Sequence, residues 1–224
     1  MRKISQWVFF CATAYPHRVS TTAGLRERKK EATRQALHEA AVRLAAEHGL
    51  DGLTVEAIAA AADVSRRTFS NYFAGKEDAL LYRDEVRRRR LHQLIAARPE
   101  GEHAWTALSR AAEELIAESD ADPAWAAQRN LLQQHPALVS RRAASYAGSE
   151  RAIATLITPR LAASIRNGGQ APGEGADADI RARLLAAALE TALRVATGYW
   201  IDHPGSSLPR ILHQVLTEAG SAWS

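Results

Sequence analysis

Between residues 65 and 76, SRRTFSNYFAGK, stand three basic side chains and no acidic one. Arg66 and Arg67 can grip guanine O6 and N7, and Asn71 can pair with adenine. Thr68, Ser70 and Tyr72 can donate to phosphate oxygens. Lys76 adds a further positive charge at the start of the next element. The competing reading is a solvated polar helix face. The elements around these residues bear on which of the two is favoured.

Residues 25–48 predict a helix, because Leu37, Ala40, Ala41 and Leu44 recur at one-face spacing and Gly49 follows as a stop. Thr54 is a natural N-cap for a short helix running to Ala62, with Glu56 adding acid to its first turn. ADV, residues 62–64, predicts a tight turn, and Ser65 caps a second short helix from Arg66 to about Phe73. A longer helix is expected from Lys76 to Ala97. Ile58, Ala59 and Ala62 form a small apolar face, Val64 plugs the turn, and Phe69 and Phe73 point back to the core. Two short helices joined by a tight turn and packed on a third make a helix-turn-helix. In that arrangement the polar side chains of residues 66–72 are left facing outward.

The 224 residues are 46% hydrophobic and 24% charged, with net charge +4 and a pI near 9.5. Alanine and leucine dominate and β-branched residues are sparse, which predicts an all-α protein. A charge this modest says little globally, so its distribution carries the argument. The single cysteine, Cys11, excludes an internal disulfide and a CxxC metal site. The eight histidines are scattered without an HExxH arrangement, so neither enzymatic activity, metal nor cofactor is expected.

Residues 1–22 mimic a short signal peptide, with Arg2 and Lys3 before an apolar run. A secretion signal, a flexible arm and an overlong reading of the gene, with initiation at Val19, all stay open. No apolar run is long enough to cross a membrane as a helix, and a cytoplasmic location is expected.

The stretch ALHEAAVRLAAEHGLDGLTVEAIAAAADVSRRTFSNYFAGKEDALL resembles the DNA-binding domain of the TetR family of bacterial repressors, with the likeness covering residues 25–81. The resemblance implies an N-terminal three-helix helix-turn-helix domain, residues 23–80, and a C-terminal helical ligand-binding and dimerisation domain, residues 81–224. It places Arg66, Arg67, Thr68, Ser70, Asn71 and Tyr72 on the recognition helix facing double-stranded DNA. It also implies phosphate contacts from Thr54 and Lys76. Arg26, Arg28, Lys29, Lys30 and Arg34 are similar to the family's basic N-terminal arm. Asp63 departs from the glycine common in the family's turn, but Asp tolerates the left-handed conformation better than most residues.

Beyond Arg98 the chain reads as helices near 103–119, 123–133, 136–147, 149–167, 178–202 and 207–219, with a glycine-rich loop at 167–179. Trp105, Trp125, Arg129, Tyr146 and Trp200 are candidates for lining an apolar pocket, though aromatics at helical spacing also build cores. RNLLQQHPALVSRRAASYAGSERAIATLI resembles a branch of the family with an acyl-CoA-like ligand-binding domain. This implies a hydrophobic effector, with Arg129 or Arg142 as an anion partner.

Ile153, Leu156 and Ile157 in one helix, and Leu185, Leu189 and Leu193 in another, are the expected homodimer interface. Ile180, Leu184, Ala188, Ala192 and Ala196 complete the second stripe. The expected function is a ligand-responsive repressor on a palindromic operator. The alternative is a drug or lipid sensor acting mainly through a protein partner.

Overall fold

The computed structural model describes residues 24–118, 135–166 and 176–221, which form eight helices and no strand. These are α1 Leu25–His48, α2 Val55–Ala61, α3 Arg66–Ser70, α4 Lys76–Ala97, α5 Ala104–Glu118, α6 Pro136–Arg166, α7 Ala176–Asp202 and α8 Leu208–Ser221. The described residues up to 85, with 135–138, fall in one compact unit, and the rest fall in a second. Trp125 and Arg129, the helix expected at 123–133 and residues 1–22 lie outside the described residues.

The first unit is built from strong local signals. Gly49 ends α1 at φ 73°, and its N–H donates to the Ala45 carbonyl at 3.0 Å. Thr54 Oγ1 accepts from the Ala57 N–H at 3.1 Å, and Ser65 Oγ accepts from the Thr68 N–H at 3.0 Å, so both short helices start on side-chain caps. Asp63 takes φ 54°, which reverses the chain between them. The Val64 N–H then donates to the Ala59 carbonyl at 2.9 Å. α3 closes at Ser70 rather than Phe73: Asn71 and Tyr72 turn tightly back on the carbonyls of Thr68 and Phe69. Its one fully buried side chain, Phe69, lies 5.8 Å from Phe73, which meets Tyr82 of α4 edge-on at 5.5 Å. His38 of α1 is buried with Nδ1 2.8 Å from the Ala79 carbonyl. That carbonyl can only accept, so the ring nitrogen donates.

The second unit has a continuous apolar core from α4–α8, including Leu91, Ile95, Leu108, Ile153, Leu189 and Leu212. α7 and α8 pack most extensively against each other, and α8 also packs on α5. Gly220 permits one close approach here, because a Cβ at that position would stand 2.4 Å from Trp105 Nε1. At the end of α4, Arg160 donates to the carbonyls of Ile95, Arg98 and Pro99. These belong to the last turn and the residues after it, which a helix leaves without internal partners. Glu102 gathers Arg98 at 2.7 Å and Arg110 at 2.6 Å, and the Arg98 hydrogen bond holds its carboxyl below the usual carboxylate range.

Two expectations for this unit are corrected. The helices expected at 136–147 and 149–167 are one helix, α6, running through Gly148 and Pro159. A single Gly or Pro is tolerated where burial continues, and Arg142, Ser149, Ile153 and Ile157 are buried on both sides of Gly148. The loop expected at 167–179 gives way to helix from Ala176.

The dimer stripe is also corrected. Ile153, Ile157, Leu185 and Leu189 are fully buried within a single chain and have no surface left for a partner. Leu156 and Leu193 are half-buried against the same core. α7 is apolar on two sides, and periodicity alone does not say which side the chain keeps for itself. The side left exposed carries Ile180, Leu184, Val195 and Tyr199.

Candidate nucleic-acid interface

The fold of the first unit buries one side of α3 and leaves the other in solvent. Arg66, Arg67, Ser70 and Asn71 are exposed, while Thr68 and Tyr72 are half-buried. Short caps and one aromatic anchor suffice to hold this helix of five residues. An isolated helix of that length would not persist in water.

The hydroxyls already have local work. Thr68 Oγ1 lies 2.8 Å from Ser65 Oγ, and Ser70 Oγ donates to the Arg66 carbonyl at 3.2 Å. Thr54, exposed at the start of α2, uses an oxygen lone pair for its cap and retains its O–H as a donor. Arg66 Nε donates to Glu56 Oε1 at 3.1 Å, an ion pair between α3 and α2 that composition and spacing did not reveal.

Tyr72 connects α3 to α1, with the Arg34 guanidinium 5.7 Å from its ring centre, within cation–π range. An open cleft of about 720 Å³ lies between these elements, lined by Arg26, Lys29, Lys30, Thr33, Asn71 and Tyr72 among others. Three cations of the first turns of α1 and the end of α3 therefore share one concave surface. Such an arrangement suits a polyanion better than an uncharged ligand.

Lys76 departs from its expected role. Its half-buried ammonium donates to the carbonyls of Leu50 and Leu53, each at 2.9 Å. Two of its three N–H donors are thereby committed to the loop between α1 and α2. The expected phosphate contact is recast, and Lys76 is first a clamp on that loop. Lys76→Met should cost about 1–3 kcal/mol, because two carbonyls lose a charged donor. Urea melts of the full chain measure this. The salt dependence of DNA binding, taken where the variant is folded, should change by less than about one phosphate's worth. An unchanged melt with a flattened salt dependence would return Lys76 to the phosphate.

The pocket candidates of the second unit sit apart from this surface in sequence and in role. Trp105 is buried, and its indole N–H donates to the Leu216 carbonyl at 3.3 Å, so its polar tip is already spent. Trp200 is also buried in the core cluster. Tyr146 Oη accepts from Arg142 at 2.8 Å. As core members and paired groups, these residues follow the packing alternative more closely than the pocket one. No helix among the described residues is long and apolar enough to cross a membrane.

Known proteins share both parts of the chain. Residues 37–82 match the model of the bacterial regulatory proteins of the tetR family, and residues 102–223 match that of the MftR C-terminal domain. The HTH-type transcriptional regulator TcmR of Streptomyces glaucescens is 28% identical over 184 residues, covering 79% of this chain and 76% of that protein. NalD, the secondary repressor of the MexAB-OprM multidrug efflux pump in Pseudomonas aeruginosa, has a similar structure at TM-score 0.57 and 19% identity, over 86% of this chain and 96% of its own. SmeT, the repressor of the Stenotrophomonas maltophilia multidrug efflux pump SmeDEF, is similar at TM-score 0.54 and 22% identity, over 86% and 91% of the two chains. It has also been solved in complex with triclosan. The C-terminal match alone spans more than half of the sequence, and the chain belongs to the TetR family of bacterial transcriptional regulators.

Proposed function

We propose that this DNA-binding regulator is a homodimeric repressor that reads a palindromic operator with α3 and is released by a hydrophobic small molecule. The observation that carries the reading is the solvent face of α3, where Arg66, Arg67, Ser70 and Asn71 stand exposed above a buried Phe69. These side chains are of the types that read bases and hold phosphates in a major groove. Thr54, Thr68 and Tyr72 support the same surface from its edges.

The dimer surface proposed is the exposed apolar side of α7, with Ile180, Leu184, Val195 and Tyr199. A second copy of the chain meeting it about a two-fold axis would bury all four on both protomers. The two recognition helices would then address half-sites about 34–36 Å apart. The effector reading rests on the aliphatic second unit, its likeness to an acyl-CoA-like binding branch and the triclosan complex of SmeT. An effector releases DNA only by as much as it prefers the state with the wrong head spacing.

Arg66→Ala tests the assignment on duplexes from the promoter region next to the gene, followed by gel shift. Specific binding should weaken by about 1–3 kcal/mol with one base position relaxed, and binding to unrelated duplex should change far less. Wild-type affinity and selectivity in this variant would refute α3 as the reading element.

A further inference from the structure

We infer that Glu56 is a positioning residue for sequence reading: it selects which edge of the Arg66 guanidinium faces the DNA, and so raises selectivity at the expense of raw affinity. The inference rests on the proposed role of Arg66 and adds a residue from the neighbouring helix to it.

Glu56 is in the first turn of α2, and Arg66 is the first residue of α3. The bond between them joins Oε1 to Nε at 3.1 Å, with the side chains 60% and 74% exposed. A guanidinium offers five N–H groups in a fixed fork. Its side edge presents Nε with one terminal nitrogen, and its far end presents both terminal nitrogens. Either edge could supply the two parallel donors that guanine O6 and N7 require. With Nε held by Glu56, the far end is the fork left to approach a base.

An acid in a first helical turn is favourable in any short helix, and that alone would account for a glutamate here. It would not account for the carboxylate reaching across to another helix and taking the inner nitrogen of the side chain. Arg67, one residue later, is exposed on the same helix. Glu56 also places a negative charge beside a surface meant for a polyanion. That charge opposes every DNA sequence alike, whereas the ordered fork assists only a site with a guanine in reach. The pair therefore biases binding towards the correct base.

The experiment selects duplexes from a randomised pool with the full-length wild type, Arg66→Ala, Glu56→Gln and Glu56→Asp, and compares base preference at each position. Affinity for an unrelated duplex is measured across salt concentrations. Arg66→Ala should flatten one guanine position. Glu56→Asp keeps the charge but is too short to reach, and should weaken preference at that same position by roughly fivefold or more, the lower end of what one bidentate contact discriminates. Glu56→Gln should tighten binding to unrelated duplex, with a steeper salt dependence by up to about one unit. Thermal melting should be close to wild type in both Glu56 variants, because an exposed ion pair contributes little to folding. If Arg66→Ala flattens a position that both Glu56 variants read as wild type does, the positioning role is overturned while Arg66 keeps its own. If Arg66→Ala flattens none, the reading of α3 falls and this inference falls with it.

Discussion

Leu189→Glu should unfold the second unit, whereas Leu184→Glu, five residues earlier on the same helix, should leave it folded and monomeric. Leu189 is 0% exposed within one chain, and its side chain belongs to the core formed by α4–α8. A carboxylate there loses its hydration and finds no partner provided for it. It also replaces a well-packed aliphatic group, so the loss should reach about 4–5 kcal/mol or more, a large part of a typical domain's stability. Leu184 is 50% exposed, so glutamate at that position stays hydrated in the monomer. In the proposed dimer it would be desolvated twice, once on each protomer, at a cost of several kcal/mol. Circular dichroism should therefore show helix loss for the first variant and a near wild-type melt for the second. Sedimentation equilibrium should show a wild-type dimer and a Leu184→Glu monomer. A Leu184→Glu protein that sediments as the wild-type dimer would remove this side of α7 from the interface.

Phe69→Ala should abolish binding to all DNA sequences, in contrast to the selective loss expected for Arg66→Ala. Phe69 is the one buried side chain of α3, and it links that helix through Phe73 to Tyr82 of α4. Truncating a buried phenylalanine costs about 3–5 kcal/mol through lost transfer energy and the cavity left behind. A five-residue helix has almost no intrinsic stability to set against that loss. The face carrying Arg66, Arg67 and Asn71 would cease to be held as one surface. Urea titration followed by tryptophan-independent far-ultraviolet dichroism, together with gel shifts on specific and unrelated duplex, measures both effects. Wild-type stability with wild-type binding would show that α3 is held by its caps rather than by its aromatic anchor.

The bounds of α1 and α4, the two capped starts of α2 and α3, and the left-handed turn at Asp63 all follow from residues a few positions apart. Thr54 reaches Ala57, Ser65 reaches Thr68, and Gly49 reaches back to Ala45. Hydrogen bonds of that span are decided before any long-range packing, which is why a helix-turn-helix is legible in a linear string. The family likeness is legible there for the same reason, since its signature lies in one continuous stretch.

Other features needed contacts that no local rule supplies. Lys76 finds its carbonyl partners 23 and 26 residues earlier in the chain, and their positions depend on how the loop after α1 lies against α4. A lysine at a helix start looks the same in sequence whether its ammonium meets a phosphate or a backbone carbonyl. Glu56 and Arg66 meet only because the turn at Asp63 brings α2 against α3. The continuity of α6 through Gly148 and Pro159 was hidden because local propensity favours a break at both, and burial along the helix outweighs it. The apolar pattern of α7 determined that the helix has two sides able to pack. Which side the chain keeps was decided by α5 and α8 covering it, and Ile180, Leu184, Val195 and Tyr199 remain on the other because a cylinder packed from one direction leaves its far side in water.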